Sequence, residues 1–139
     1  MQYNAQGYLY EQIEAHDSGE STIPDPVYLR ILKMDARGNV TDQINGNGVT
    51  TIRAYDPDDG QLNLIQSSKL SGGDIQYLLY EFDLIGNLVS RIDLRQGQSE
   101  AFFYDDLNRL ETVDLYADTD LTGNPLRTDS TFYDAAGNI

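Results

Sequence analysis

The chain contains no cysteine, which excludes disulfide bonds and thiolate metal sites and leaves the redox compartment open. Its single histidine, His16, has no second histidine to share a transition metal. Asp17 and Ser18 follow His16, but a catalytic triad is defined by spatial roles and not by adjacency in sequence. We find no phosphate-binding loop, nucleotide fingerprint or nucleophile motif, so we expect no catalytic residues and no enzymatic activity.

Basic residues are also scarce. Nine Lys and Arg stand against 23 Asp and Glu, which gives a formal net charge of −14. Nucleic acid and anionic membrane surfaces would repel such a chain, so neither is an expected partner, and the charge favours solubility. No apolar run approaches the roughly 20 residues that a membrane-spanning helix needs. The N-terminus lacks a basic region followed by an apolar one, so the chain carries no recognisable targeting signal.

What the sequence does contain is a short phrase that occurs six times. A large, usually aromatic residue is followed by Asp or Asn, two variable residues, Gly or Asn, one more residue and an aliphatic one. One copy has an inserted residue, and the last copy ends at Ile139. The residues that define the predicted turns are Tyr3, Asn4, Gly7, Met34, Asp35, Gly38, Tyr55, Asp56, Gly60, Phe82, Asp83, Gly86, Tyr104, Asp105, Asn108, Tyr133, Asp134 and Gly137.

The phrase predicts a tight turn on physical grounds. Asp or Asn at the first corner of a type I turn accepts a hydrogen bond from the backbone two residues on, and Gly at the fourth position tolerates a positive φ. The exceptions follow the same logic. Asn108 replaces Gly with the residue that next most readily visits the left-handed region, and Pro57 follows the Asp of the copy with an insertion. We therefore interpret each copy as the corner of a β-hairpin.

The spacing of the copies predicts two hairpins per repeating unit. Successive copies begin 31, 21, 27, 22 and 29 residues apart, so long and short steps alternate within a double repeat of about fifty residues. Between the copies lie clusters of Asn, Asp, Gly and Ser that indicate further turns. The intervening runs suit strands, and no segment is convincingly helical. These runs are Val49 to Asp56, Ile75 to Phe82, Leu88 to Leu94, Glu100 to Tyr104 and Leu110 to Tyr116.

The predicted fold class is all-β: tandem antiparallel hairpins that form a curved strip or spiral, like a segment of a β-solenoid shell. Residues 1–139 are interpreted as one array with the six phrase turns along one margin of the sheet. The longest interval, Tyr10 to Leu32, contains Pro24 and Pro26 and is expected to form a surface loop before a strand resumes at Val27. Neither end shows the polar cap that repeat arrays need, so we expect a fragment of a longer array.

The tandem phrase resembles the Rhs, or YD-repeat, family. The resemblance covers essentially the whole chain, and phrases such as Gly86-Asn87-Leu88 and Asp105-Asp106-Leu107-Asn108-Arg109-Leu110 carry it. The family includes bacterial polymorphic toxins, cocoon-forming subunits of insecticidal toxin complexes and animal teneurins. The resemblance implies a hairpin strip that spirals into a hollow shell, enclosing a toxin in the bacterial members. The self-cleaving segment and the toxin domain of those proteins have no counterpart in this sequence.

Three roles stay open from the sequence. The first is a non-enzymatic segment of shell or scaffold wall, whose parent protein encloses a toxin. The second is a binding or adhesion module for a glycan or a protein, and the third is a protomer that assembles through open sheet edges into a filament. The expected partners are flanking repeats of the same parent chain or neighbouring copies. By resemblance, we expect a secreted protein located outside the cell or at its surface.

Several motif residues have both a functional and a structural interpretation. The motif tyrosines are able to stack on sugars, but their recurrence beside turns favours packing between hairpins. Turn capping explains all the motif aspartates at once, which leaves little reason to regard them as general acids or bases.

We expect no cofactor. The alternative is a calcium loop with ligands Asp118, Asp120, Thr122 and Asp129, although Pro125 and the absence of flanking helices argue against it.

Overall fold

The computed structural model describes residues 1–3, 5, 7–13, 27–134 and 136–138. Within these ranges the chain forms eleven strands and no helix, and therefore no helix able to cross a membrane. The strands are β1 (Gln2–Tyr3), β2 (Leu9–Ile13), β3 (Val27–Met34), β4 (Val40–Asn45), β5 (Val49–Tyr55), β6 (Leu62–Lys69), β7 (Asp74–Phe82), β8 (Leu88–Asp93), β9 (Gln98–Tyr104), β10 (Leu110–Tyr116) and β11 (Arg127–Ser130).

The strands form one continuous antiparallel meander. Their spatial order is their order in the sequence, from β1 at one edge to β11 at the other. Each strand packs only against the strands that precede and follow it. The all-β hairpin strip predicted from the turn spacing is therefore confirmed.

The turns fall on two margins of the sheet. The phrase turns join β1 to β2, β3 to β4, β5 to β6, β7 to β8 and β9 to β10, and the sixth follows β11. In a meander these six turns lie along one side, which we call the motif margin. The remaining turns lie along the opposite side, which we call the variable margin. The predicted turn at residues 17–19 and the loop around Pro24 and Pro26 lie outside the described residues, as do Asn4 and His16.

A β-bulge accompanies every described motif hairpin. In the hairpin of β7 and β8, for example, Phe82 pairs with Leu88 while its neighbour Glu81 pairs with Ser90, so Val89 is left over. The corresponding extra residues in the other four hairpins are Tyr10, Thr41, Asn63 and Glu111. A bulge bends its strand and increases the local right-handed twist, and here the five bulges occupy matching positions beside the motif turns.

The sheet has no second layer in the described residues. Tyr116 is their only buried apolar side chain, at 9% exposure. The chain as a whole exposes 9556 Å², whereas a compact monomer of 15.6 kDa would expose about 7,200 Å². Several of the buried side chains are polar instead. Examples are Thr51 and Ser67, whose hydroxyls form a 2.9 Å hydrogen bond between β5 and β6. Within the described ranges, no element packs over either face of the strip.

Candidate functional site

The motif margin is the most regular feature of the molecule, and its turns share one hydrogen-bond pattern. In the turn that begins at Asp83, the amide of Gly86 donates to the Asp83 carbonyl at 3.1 Å. The Asp83 amide donates to the Asn87 carbonyl at 2.9 Å and closes the hairpin. The Asp83 Oδ1 atom accepts the amides of Ile85 and Asn87, and its Oδ2 accepts the side-chain amide of Asn87. The carboxylate therefore ties both ends of the turn together.

The same contacts recur in three other turns, those of Asp35, Asp105 and Asp134. In the Asp105 turn the residue after the fourth position is Arg109, whose Nε donates to Asp105 Oδ2 at 2.7 Å. The turn with the inserted residue differs, because Asp56 Oδ1 accepts the amides of Asp58 and Asp59. Sequence reasoning anticipated an Asp that accepts the amide two residues on. It assigned no role to the side chain of the residue that follows the fourth turn position.

These hydrogen bonds lower the pKa of four motif aspartates. The side-chain hydrogen bond from Arg109 is the main reason that the pKa of Asp105 lies below its ordinary value. The backbone amide of Asn138 acts in the same way on the pKa of Asp134. Burial alone would raise the pKa of Asp35 and Asp83, but hydrogen bonds from Asn39 and Asn87 outweigh it and lower both. A carboxylate held ionised in this way is a poor general acid.

The Gly or Asn of each turn adopts a left-handed backbone, at the fourth position or, in the turn with the inserted residue, at the fifth. Gly38, Gly86 and Gly137 have φ of 88°, 92° and 85°, and Asn108 has φ of 58°. Gly7 and Gly60, in the remaining two turns, both have φ of 84°. This conformation is the one that L side chains other than Asn disfavour.

In every motif turn after the first, this left-handed residue also lies against a side chain from the preceding turn. A Cβ built on Gly38 would lie 3.2 Å from the Tyr8 hydroxyl, and one built on Gly86 would lie 3.8 Å from Gln61 Nε2. A Cβ on Gly60 would overlap Arg37 Nη1. The remaining two turns follow the same pattern, with Asn87 against Asn108 and Arg109 beside Gly137. Each motif turn therefore rests on the next, and the spacing in sequence gave no sign of this.

Two arginines strengthen this stacking. Arg37 Nη2 donates to the carbonyls of Pro57 and Asp58 in the next turn, at 2.9 and 2.7 Å. The guanidinium carbon of Arg109 lies 4.2 Å from the centre of the Tyr133 ring. A cation over an aromatic ring contributes about 0.5–1 kcal/mol when exposed. Arg37 follows its motif Asp by two residues, and Arg109 follows its own by four. Only their contacts with the next turn identify them as residues that join the turns.

The motif aromatics connect successive hairpins on the sheet itself. The Tyr104 hydroxyl donates to the carbonyl of Leu88, the first residue of the preceding even-numbered strand, at 2.9 Å. The Tyr133 hydroxyl likewise donates to the carbonyl of Leu110, the first residue of β10, at 2.8 Å. Tyr55, Tyr104 and Tyr133 are half-buried, whereas Tyr3 is 60% exposed. These contacts favour packing over a continuous sugar-stacking stripe.

The residues of the calcium alternative are not brought together as ligands. Asp118 Oδ1 accepts the amides of Asp120 and Thr122, at 3.1 and 3.5 Å. Asp129 lies in β11 opposite Val113 and forms an ion pair with Arg127 at 2.7 Å. In the part of the chain that the structure describes, no group of three or more His, Cys, Asp or Glu side chains is arranged to hold a metal ion.

Comparison with known proteins identifies the fold. No protein-family model and no curated protein matches the chain. Among solved structures it is similar to TcdB2-TccC3 without the hypervariable C-terminal region, with TM-score 0.71 and 23% identity. The mutant Tc holotoxin pore of Photorhabdus luminescens gives the same values, and both matches cover 81% of this chain and 6% of the other. TcdB2-TccC3 itself matches at TM-score 0.62 and 23% identity, over 78% of this chain and 7% of the other.

The chain thus corresponds in length to a small segment of those toxin chains, and identities of this size establish likeness of fold alone. That likeness agrees with the turn motif, which led to the same group of proteins by an independent route. The resemblance to the Rhs/YD-repeat family is therefore confirmed at the level of the fold.

Proposed function

We propose that this chain is a non-enzymatic segment of wall in a YD-repeat shell or scaffold, and that residues 1–139 form one array within it. The observation that carries the proposal is the single-layer sheet of eleven strands in sequence order, with its motif turns stacked along one margin. A layer of this kind encloses space only when it continues and curves. The five matching bulges supply the curvature.

The finer proposals rest on the toxin-complex likeness. By that likeness, the parent protein encloses a toxin, acts outside the cell or at its surface, and extends the sheet with further repeats at β1 and β11. The motif margin supports a structural role because the carboxylates of its motif aspartates accept the hydrogen bonds of their own turns. This role requires no cofactor.

The size and shape of the native polypeptide test the proposal. Antibodies raised against this chain should detect, in the source cells, a polypeptide far larger than 15.6 kDa, and electron microscopy of the purified parent should show a hollow particle with this strip in its wall. Detection of a free 15.6 kDa species as the only form would contradict the proposal, and so would a solid particle.

A filament is the second candidate, because β11 has an unpaired outer side among the described residues. Its four residues pair with β10 on one side, and all four are exposed. Exposed edge strands pair readily with other chains. Sedimentation of the chain over a range of concentrations would show open-ended growth if filaments form, whereas a monomer at every concentration would exclude them. No observation of the motif tyrosines favours the adhesion alternative over these two.

A further inference from the structure

Three large apolar side chains are exposed at the tips of two neighbouring motif turns. Leu84 is 105% exposed, Ile85 is 69% exposed and Leu107 is 71% exposed. We call this group the tip ridge. Isolated exposed leucines are common on protein surfaces, whereas exposed apolar side chains that cluster inside a polar rim mark interaction sites.

The two turns of the tip ridge are adjacent in space. They are separated by two strand spacings, or about 10 Å. The side chains of Asn87 and Asn108 span this gap with a 3.4 Å hydrogen bond between Nδ2 and Oδ1. Both turns are also held rigidly by the carboxylates of Asp83 and Asp105. The two turns therefore present the three exposed apolar side chains next to one another on the motif margin.

The surroundings of the tip ridge are acidic. Asp106 is an exposed residue next to Leu107, and Asp58 and Asp59 are exposed at the tip of the preceding motif turn. The two cations of this margin are already engaged, because Arg109 pairs with Asp105 at 2.7 Å and Arg37 binds the carbonyls of Pro57 and Asp58. An apolar centre with a charged rim is the usual anatomy of a protein interface.

We propose that the tip ridge is a docking surface for a protein partner with an apolar centre and a basic periphery. Charge complementarity selects this occupant, since the rim and the net charge of −14 both attract cationic groups. A second copy of the chain would bring two acidic rims together, and an anionic membrane would be repelled. The surface faces away from the strand-to-strand contacts that build the sheet, so docking leaves the wall intact.

A defined probe tests the proposal. A synthetic peptide of alternating leucine and lysine presents the stated chemistry, and its binding to the whole chain is measured by calorimetry. The triple variant Leu84→Ser, Ile85→Ser and Leu107→Ser should raise the dissociation constant about tenfold or more, because apolar anchors contribute most of the binding energy at interfaces. Added salt should weaken binding to the unmodified chain, and a peptide with serine in place of leucine should bind weakly.

The matched control carries the same kind of change on the variable margin. Leu70, Leu94 and Leu126 are 83%, 41% and 63% exposed, and replacing all three with Ser should leave peptide binding unchanged. Equal weakening by the two triple variants would overturn the proposal because the effect would not then be specific to the tip ridge. Equal binding of the leucine and serine peptides would also overturn it because the attraction would then be merely electrostatic. Dimerisation of the chain that the tip-ridge variant abolishes would also overturn it, by making a second copy the occupant.

Discussion

At the scale of single residues, the left-handed residue of a motif turn satisfies two requirements. It adopts a positive φ, and in every motif turn after the first it lies against a side chain of the preceding turn. Sequence reasoning identified the first requirement from Gly alone, because positive φ is a local property. The second depends on which turn stands beside which, and only the assembled sheet determines that.

Two glycine substitutions separate these requirements. Gly86→Ala should lower the free energy of unfolding by about 1–2 kcal/mol, since it introduces only the cost of a left-handed alanine. Gly60→Ala should cost about 1 kcal/mol more, because the new methyl group displaces Arg37 from the carbonyls of Pro57 and Asp58. Urea denaturation of both variants checks this. Equal losses would show that the Arg37 contact contributes nothing.

The motif carboxylates should make the fold sensitive to acid. The folded-state pKa of Asp105 lies below that of the unfolded chain, because Arg109 hydrogen-bonds to its ionised form. Its stabilising effect is therefore complete above about pH 4, the ordinary pKa of Asp, and is lost as the pH falls through the lower folded-state pKa. In urea titrations, Asp105→Asn should be less stable than the unmodified chain at pH 6, and the two should converge toward pH 2.

The control for this pH dependence lies in the same turn. Asp106 is exposed, and its carboxylate accepts no hydrogen bond from the described residues. Asp106→Asn should therefore keep the pH profile of the unmodified chain. A profile that Asp106→Asn flattens as much as Asp105→Asn does would assign the acid sensitivity to net charge and not to the turn hydrogen bonds.

At the scale of elements, the hairpins are joined by the motif aromatics as well as by the strand ladders. Tyr104 illustrates this, since its hydroxyl reaches from the end of β9 to the Leu88 carbonyl at the start of β8. Burial and the charge of Asp83 raise the pKa of Tyr104 above its ordinary value. The contact lies beside the bulge, where the ladder is irregular and another link is most useful.

Removing that hydroxyl should have a measurable and local effect. Tyr104→Phe should lower the free energy of unfolding by about 1 kcal/mol, the usual contribution of a hydrogen bond whose acceptor is left half-buried. Tyr80→Phe is the matched control, because the Tyr80 hydroxyl has no hydrogen-bond partner among the described residues. Chemical denaturation of the two variants decides the matter, and indistinguishable losses would refute a special role for Tyr104.

The strands themselves were largely predictable from sequence, and the bulges were not. The run from Leu110 to Tyr116 coincides with β10, and the other four predicted runs differ from β5, β7, β8 and β9 by one or two residues. Turn residues mark strand ends because their backbone preferences are local. A bulge leaves no such mark, since Val89 and Thr41 become extra residues only through their pairing with the neighbouring strand.

At the scale of the whole molecule, cohesion is one-dimensional. Every strand contacts only its neighbours in sequence, and no second layer binds distant strands together within the described residues. In such arrays stability is approximately a sum of local terms, so opening is expected to begin at the edges. The fold class and the order of strands followed from the repeated turn. The exposed apolar tips of the motif margin did not, because exposure depends on what the assembled sheet covers.

Hydrogen exchange should reveal this gradient directly. Amides of β6 and β7, which pair on both sides, should exchange most slowly, and those of the edge strands β1 and β11 should exchange fastest because both are short, exposed and paired on one side. Uniform protection from β4 to β11 would contradict a one-dimensional array and indicate a globally cooperative fold. The same measurement on the parent protein bears on the wall proposal: a flanking repeat that continues the sheet would raise the protection of β11 to that of the central strands.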